Sequence, residues 1–183
     1  RLAINNANSQ LLQMADQFDS SRSPGSTVAA LLINQESAAV IWAGDSRIYR
    51  LRDSELQQIS RDHSHVQELL DQHLIEPEEA ENHPMGNVIT RAVGIEDPVE
   101  LDVLRLNVAD GDRYLLCSDG LSRLLNNSEL RECMCSMSLQ DSISSMLDLA
   151  LSRGASDNVT MISVQCGANV AENKDATRIV PLK

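Results

Sequence analysis

Apolar residues recur at the spacing of an amphipathic helix in several parts of the chain. One such face opens the sequence and comprises Leu2, Ile4, Ala7, Leu11, Leu12, Met14, Ala15 and Phe18. Further helices are predicted at residues 64–72, 128–134 and 139–151. Pro77, followed by Glu78 and Glu79, indicates the first turn of another short helix, because proline and acidic residues favour that position.

Short β-rich runs separated by turn residues predict the strands. The first four runs are residues 26–33, 38–43, 47–51 and 55–59. Because short turns join them, they are predicted to form an antiparallel meander with one half-exposed face, interrupted at Gly44-Asp45-Ser46. The later β-rich runs are residues 88–94, 101–106, 114–117 and 159–164.

Composition narrows the class of protein. The 183 residues carry a net charge of -12, which argues against nucleic acid and anionic membranes as partners. No apolar run reaches the length of a membrane span, and no signal peptide is recognised. The four cysteines lack zinc-type spacing and are predicted to be reduced, buried thiols of a cytoplasmic protein. One domain is predicted at residues 1–167, followed by a flexible tail at 168–183.

Two aspartates flank predicted strands in mirrored positions. Asp119 follows the run 114–117, and Asp157 precedes the run 159–164. If these strands are antiparallel neighbours, the two carboxylates meet at the same edge of the sheet. They would repel each other there unless a cation lay between them, so the pattern favours a divalent metal site. The alternative for Asp119 is a cap on the helix that follows.

Six short motifs occur in a fixed order along the chain. They are Gly25-Ser26-Thr27, Gly44-Asp45-Ser46-Arg47, Asp62-His63-Ser64, Thr90-Arg91-Ala92-Val93-Gly94, Ser118-Asp119-Gly120 and the turn at 154–158. Together they resemble the metal-dependent protein serine/threonine phosphatase family, also called the PPM or phosphatase 2C-like family. The resemblance covers roughly residues 5–165 and is closest to the bacterial type, because Glu79-Ala80 and His83-Pro84 lie between the third and fourth motifs.

The resemblance implies an α+β fold, a four-layer α-β-β-α sandwich of two antiparallel sheets flanked by helices. It implies two Mn²⁺ or Mg²⁺ ions, with a third, weaker site, held by acidic residues at one edge. In the family, a hydroxide bridging the ions attacks the phosphorus of phosphoserine or phosphothreonine. The expected partner is a phosphoprotein substrate, modified by an opposing serine/threonine kinase, and the protein itself is expected to be a cytoplasmic monomer.

The resemblance also assigns roles to individual residues. Asp119 matches the metal-ligating aspartate of the S-D-G motif and Asp157 that of the D-N motif, so both are predicted to be catalytic. Asp45 matches the aspartate of G-D-S-R, which implies a ligand of the third metal site together with Asp119; a turn residue closing the hairpin is the alternative. The candidates for proton transfer are His63, His65, His73 and His83, and surface positions on loops or helices are the favoured alternative for them.

The family's opening motifs, including its D-G-x-x-G-H stretch, do not occur in this sequence. In the family they supply a phosphate-binding arginine, an aspartate that bridges the metals and a histidine that protonates the leaving group. The sequence therefore predicts an N-terminally incomplete catalytic domain with part of the active site. A non-catalytic fragment or pseudophosphatase that binds or regulates another protein is the alternative function.

A different catalytic class is compatible with one local spacing. Cys117 and Arg123 form the C-x₅-R pattern of Cys-dependent phosphatases, whose loop binds phosphate through backbone amides and a thiolate. Asp119 would lie inside that loop, where its charge repels phosphate. The metal-dependent interpretation is therefore favoured.

Overall fold

The structure, a computed structural model, describes residues 1–15, 24–80, 83–135 and 138–167. Its helices are α1 (Leu2–Ala15), α2 (His65–Asp71), α3 (Pro77–Ala80), α4 (Asp119–Ser122), α5 (Asn127–Met134) and α6 (Leu139–Ser152). Its strands are β1 (Val28–Asn34), β2 (Ser37–Ala43), β3 (Arg47–Arg52), β4 (Glu55–Gln58), β5 (Asp102–Asn107), β6 (Arg113–Cys117) and β7 (Met161–Gln165). The predicted tail at 168–183 and Phe18 of the first helical face lie outside the described residues.

The strands form two sheets, with the orders β1-β2-β5 and β4-β3-β6-β7. The predicted fold class, two antiparallel sheets flanked by helices, is confirmed. The prediction of a single four-stranded meander is wrong, because β2 and β3 belong to different sheets. The predicted extended run 88–94 contributes only two isolated bridges, Ser26 with Val93 and Ser64 with Ile89.

The described residues divide into two compact units. One unit comprises those within Arg1–Leu31, Val40–Ser46 and Arg61–Leu104. In its core, Ala43, Val93 and Val99 are buried. Helix α1 carries one fully buried polar residue, Asn8, whose amide oxygen accepts from the Gly94 N–H at 2.7 Å and whose amide nitrogen donates to the Glu96 carbonyl at 2.8 Å. Both ends of this side chain are therefore satisfied, which removes the cost of burying it.

The other unit comprises the described residues within Leu32–Ala39, Arg47–Ser60 and Arg105–Lys183. Strand β6 lies between β3 and β7 and is antiparallel to both. Such a central strand is buried on both faces, which explains why the run from Tyr114 to Cys117 is continuously apolar rather than alternating. Helices α5 and α6 contribute further buried residues to this core, including Leu130, Met134 and Met146.

Both of these helices begin with a side-chain cap. Asn126 forms a capping box with Glu129 at the start of α5, and Ser138 accepts from the Asp141 N–H at the start of α6. Arg153, which follows α6, donates to the Glu129 carboxylate with Nη1 at 2.8 Å and also with Nη2. This pair links the beginning of α5 to the end of α6.

A buried ion pair lies at the other end of β6. Asp112 is almost fully buried and accepts from Arg52 Nε at 2.7 Å and Nη2 at 2.6 Å, from the Ala109 N–H at 2.9 Å and from the Tyr114 hydroxyl at 3.2 Å. Burial alone would raise the pKa of Asp112, but these hydrogen bonds outweigh burial and hold it below its usual range. Burial and the nearby carboxylate raise the pKa of Tyr114 to about 12.

No helix within the described ranges is long and apolar enough to cross a membrane.

Candidate active site

Asp119 lies where β6 ends and the short helix α4 begins. Ser118 is the N-cap of α4, so Asp119 is not the cap that one interpretation of the sequence expected; it is the first residue of the helix. Its side chain is 28% exposed, and its Oδ2 lies 3.0 Å from Arg123 Nη2, one helical turn further on. A partly exposed carboxylate at this position is accessible to a metal ion from solvent.

Asp157 lies in the loop before β7 and is exposed. Strand β7 begins at Met161, two residues later than the predicted run 159–164, so residues 158–160 separate Asp157 from the strand. The carboxylate Oδ1 accepts from the Asn158 N–H at 2.7 Å. This contact orients the Asp157 side chain relative to its own loop.

The backbone brings these two segments together. Cys117 at the end of β6 pairs with Met161 at the start of β7. Beyond that pair, the Ser118 N–H donates to the Thr160 carbonyl at 3.0 Å and the Thr160 N–H donates to Ser118 Oγ at 3.0 Å. The Ser118 hydroxyl donates to the Asn158 carbonyl at 3.2 Å. The residues that precede Asp119 and follow Asp157 are therefore hydrogen-bonded to each other at one edge of the sheet.

Gly120 allows this approach. A Cβ added to this buried residue would lie 2.5 Å from the Asn158 carbonyl oxygen and 3.7 Å from the Asp157 carbonyl oxygen. A carbon atom cannot come so close to a backbone oxygen, so any side chain at position 120 would displace the loop that carries Asp157. The glycine of the S-D-G motif is thus explained by packing rather than by chemistry.

Asp45, the third sequence-predicted ligand, belongs to the other compact unit. It is half-buried in the bend between β2 and β3. Gly44 before it has a φ of +110°, a conformation that glycine adopts readily. The Ser46 hydroxyl after it lies 2.8 Å from Thr27 Oγ1, which places the third residue of the first motif against the second motif.

The expectation of surface histidines is wrong for one of the four. His63 is 7% exposed and stacks on Trp42, with ring centroids 6.2 Å apart. His65 and His83 are half-buried, and His73 is exposed. Sequence spacing could not predict the burial of His63, because its neighbour Trp42 lies on β2 and is distant from His63 in the sequence.

The cysteines only partly match their prediction. No disulfide joins the four, all of which lie in the described part of the chain, and burial raises the pKa of Cys133 and of Cys166. Cys135, however, is exposed, because it caps the end of α5 rather than facing the core. Cys117, the last residue of β6, is only 4% exposed. It is therefore inaccessible to a phosphate ester, which argues against the Cys-dependent mechanism.

The donor chemistry fits a hard divalent cation. Asp119 and Asp157 offer only oxygen atoms, the ligands that Mn²⁺ and Mg²⁺ prefer. Within the described residues, however, no cluster of three or more His, Cys, Asp or Glu side chains is arranged to hold a metal ion. Two carboxylates would supply only some of the six oxygens that such a cation takes.

Comparison with known proteins identifies the family. A sequence model of the protein phosphatase 2C family matches residues 3–159. The serine/threonine protein phosphatase PstP of Mycobacterium tuberculosis is 36% identical over 160 residues, which is 87% of this chain and 31% of PstP. This chain thus spans about a third of the length of that relative.

Two solved structures share the fold. PppA, described as a key regulatory component of T6SS in Pseudomonas aeruginosa, matches with a TM-score of 0.82 and 42% identity over 90% of this chain and 67% of PppA. The catalytic domain of PstP in complex with two manganese ions matches with a TM-score of 0.76 and 37% identity over 84% of this chain and 64% of that domain. The resemblance drawn from the six motifs is therefore confirmed, and the chain belongs to the protein phosphatase 2C family.

Proposed function

We propose that the protein hydrolyses phosphoserine and phosphothreonine in other proteins and that it depends on Mn²⁺ or Mg²⁺. One observation carries the proposal: the segments bearing Asp119 and Asp157 are hydrogen-bonded to each other at the edge of a sheet, 38 positions apart in the sequence. Nothing in the local sequence requires this contact. Membership of the family supports the same reaction, and a relative holds two manganese ions.

In the proposed mechanism, the side chains of Asp119 and Asp157 would hold the metal ions. When bound, the ions lower the pKa of water and neutralise charge on the phosphoryl oxygens. The surrounding residues hold together the backbone of the two segments that bear these carboxylates: the Ser118 hydroxyl donates to the Asn158 carbonyl, and Gly120 allows the Asp157 loop to approach. Such fixed geometry favours catalysis because the ligands need no reorganisation.

Asp45 is proposed as a ligand of a further, weaker metal site. Its motif, Gly44-Asp45-Ser46-Arg47, matches the family pattern, and the residue is half-buried at a strand end.

The substrates of the protein are proposed to be phosphoproteins modified by a serine/threonine kinase. A net charge of -12 disfavours nucleic acid and anionic membranes as partners, and we propose that the protein acts as a cytoplasmic monomer.

The test uses the intact protein, a phosphothreonine peptide and a titration of Mn²⁺, with phosphate release as the readout. Activity should appear with Mn²⁺ and disappear with a chelator, whereas a thiol-alkylating agent should leave it unchanged. Asp119→Asn should lower the rate by about two orders of magnitude or more, because the lost ligand supplies several kcal/mol to the transition state.

Asp148→Asn provides the matched control, since it makes the same chemical change at an exposed position on α6. It should retain the wild-type rate. Asp119→Asn activity within a factor of two of wild type would remove Asp119 from the mechanism. Phosphopeptide binding without any turnover would instead favour the pseudophosphatase alternative.

A further inference from the structure

His63 is the most deeply buried imidazole of the chain's four and has no place in the mechanism above. Its ring stacks on Trp42 at an interplanar angle of 19°. The Trp42 indole N–H in turn donates to the Arg61 carbonyl at 2.8 Å, two residues before His63. Trp42, near the C-terminal end of β2, thus contacts the segment 61–63 twice, through the stacked rings and through the indole hydrogen bond. These two contacts fix the orientation of the imidazole.

His63 holds both polar backbone atoms of Gly44. Its own backbone N–H donates to the Gly44 carbonyl at 3.0 Å. Its ring Nδ1 accepts from the Gly44 N–H at 3.2 Å, in a buried position. Because the residue after Gly44 is Asp45, the imidazole fixes the peptide from which that carboxylate projects.

Asp102 favours the tautomer of His63 whose Nδ1 can accept the hydrogen bond from the Gly44 N–H. Its Oδ2 lies 3.2 Å from His63 Nε2, and its Oδ1 lies 3.2 Å from Arg91 Nη1. An imidazole that donates from Nε2–H to the Asp102 carboxylate keeps a lone pair on Nδ1, which is the acceptor that the Gly44 N–H requires. Asp102 therefore keeps the acceptor directed at the turn.

Thr27 restricts the Gly44-Asp45-Ser46 turn on the side opposite His63. A Cβ at position 44 would lie 2.3 Å from Thr27 Cγ2, and the positive φ already disfavours any other residue. The Thr27 hydroxyl contacts Ser46 at 2.8 Å. Asp45 is thus placed between two anchored neighbours, Gly44 on His63 and Ser46 on Thr27.

We propose that His63 is a positioning residue that, with Asp102 behind it, fixes the turn bearing Asp45 and so sets the affinity of the metal site to which Asp45 contributes. The inference rests on the metal role proposed above for Asp45. Groups that orient metal ligands typically change metal affinity by about 10- to 100-fold when they are removed.

Two variants of His63 separate the ring's two hydrogen bonds. The side-chain oxygen of His63→Asn lies near the position of Nδ1 and can accept from the Gly44 N–H. The amide of His63→Gln reaches the position of Nε2 and leaves no acceptor near Gly44. Asp45→Asn defines the effect of losing the ligand itself.

The first readout needs neither metal nor activity. Amide hydrogen exchange at Gly44, measured by NMR on the intact metal-free protein, should accelerate about tenfold in His63→Gln, as expected for loss of one buried hydrogen bond. His63→Asn should exchange close to the wild-type rate. Equal protection of Gly44 in wild type and His63→Gln would overturn the proposal.

The second readout is Mn²⁺ binding by calorimetry. The weakest binding step should weaken about tenfold in His63→Gln, towards the value for Asp45→Asn, while His63→Asn stays near wild type. Faster Gly44 exchange with unchanged Mn²⁺ binding would refute the positioning role. A wild-type protein that binds Mn²⁺ but does not release phosphate would contradict the proposed function alone.

A substitution at Asp102, a partly exposed partner of the buried ring, tests the same hydrogen bonds without changing a core residue. Asp102→Asn should shift Mn²⁺ binding and Gly44 exchange in the same direction as His63→Gln, because an amide no longer selects the ring form. The Asp102 side chain is 43% exposed, so the fold tolerates this change. The control is Glu100→Gln, which removes only the second partner of Arg91, at 3.3 Å and 73% exposed. A Glu100→Gln effect equal to that of Asp102→Asn would reject the assigned role of Asp102.

Discussion

The contact between Gly120 and the Asp157 loop gives the most quantitative prediction. In Gly120→Ala, the new Cβ would lie 2.5 Å from the Asn158 carbonyl oxygen, whereas ordinary contact begins at 3.4 Å. The two atoms must therefore separate by about 0.9 Å, and the neighbour is backbone rather than a flexible side-chain tip. Gly120 has no positive φ, so the whole penalty comes from this overlap.

Overpacking of this kind typically costs about 1–3 kcal/mol. Because the overlap is with a backbone atom, we expect the upper part of that range, about 2–3 kcal/mol. Alanine's higher helix propensity offsets about 1 kcal/mol, so the free energy of unfolding should fall by about 1–2 kcal/mol. The rate of phosphate release should be affected more strongly than the stability. Moving Asn158 also shifts Asp157 beside it, and a misplacement of about 1 Å in an active site can cost about a hundredfold in rate.

The assay combines urea denaturation with Mn²⁺-dependent phosphate release. The control is Gly25→Ala, in which the new Cβ would lie 3.0 Å from the Cδ1 tip of Ile95, an atom that can rotate away. The control should lose less than about 1 kcal/mol and keep its activity. Wild-type stability and rate in Gly120→Ala would show that the Asp157 loop does not depend on this contact.

Two further predictions concern charges remote from the metal ligands. The pKa of Asp112 is depressed in the folded state, so its ion pair with Arg52 stabilises the protein above about pH 4 and is lost as the pH falls through the folded pKa. Asp112→Asn should therefore flatten the acid limb of stability measured by urea denaturation from pH 5 downwards; an unchanged limb would refute this. The Arg153 hydrogen bonds, with a smaller contribution from the Asn126 N–H, lower the pKa of Glu129 to about 2. In Arg153→Gln an NMR titration should find the Glu129 pKa raised towards its ordinary value but still below it, because the Asn126 N–H remains.

Local sequence patterns were sufficient for the elements near Asp119 but not for their pairing. The buried run of β6 and the turn after it are visible because a continuous apolar stretch stops at Ser118-Asp119-Gly120. The separation of β2 from β3 was not predicted, since antiparallel pairing of neighbours is the commonest outcome for short turns. The alternative partner of β3 is β6, which is distant in sequence and leaves no local signal.

In the candidate site, too, local motifs could be predicted from the sequence and tertiary contacts could not. The motifs pointed to Asp45, Asp119 and Asp157 as metal ligands, and that assignment stays a prediction. The buried network of His63 and Asp102 was not anticipated, because its partners are 39 positions apart and only tertiary packing joins them. The hydrogen bonds of Ser118 were missed for the same reason.

The most direct test of the central claim is diffraction from crystals of the intact protein soaked in Mn²⁺, with anomalous data collected at the manganese edge. We expect an anomalous peak within about 2.0–2.6 Å of carboxylate oxygens of Asp119 and Asp157, the range for hard cations. Asp119→Asn crystals should lose that peak under the same soak. Manganese bound elsewhere, in a protein that hydrolyses phosphothreonine peptides, would contradict the claim that these two aspartates form the metal site.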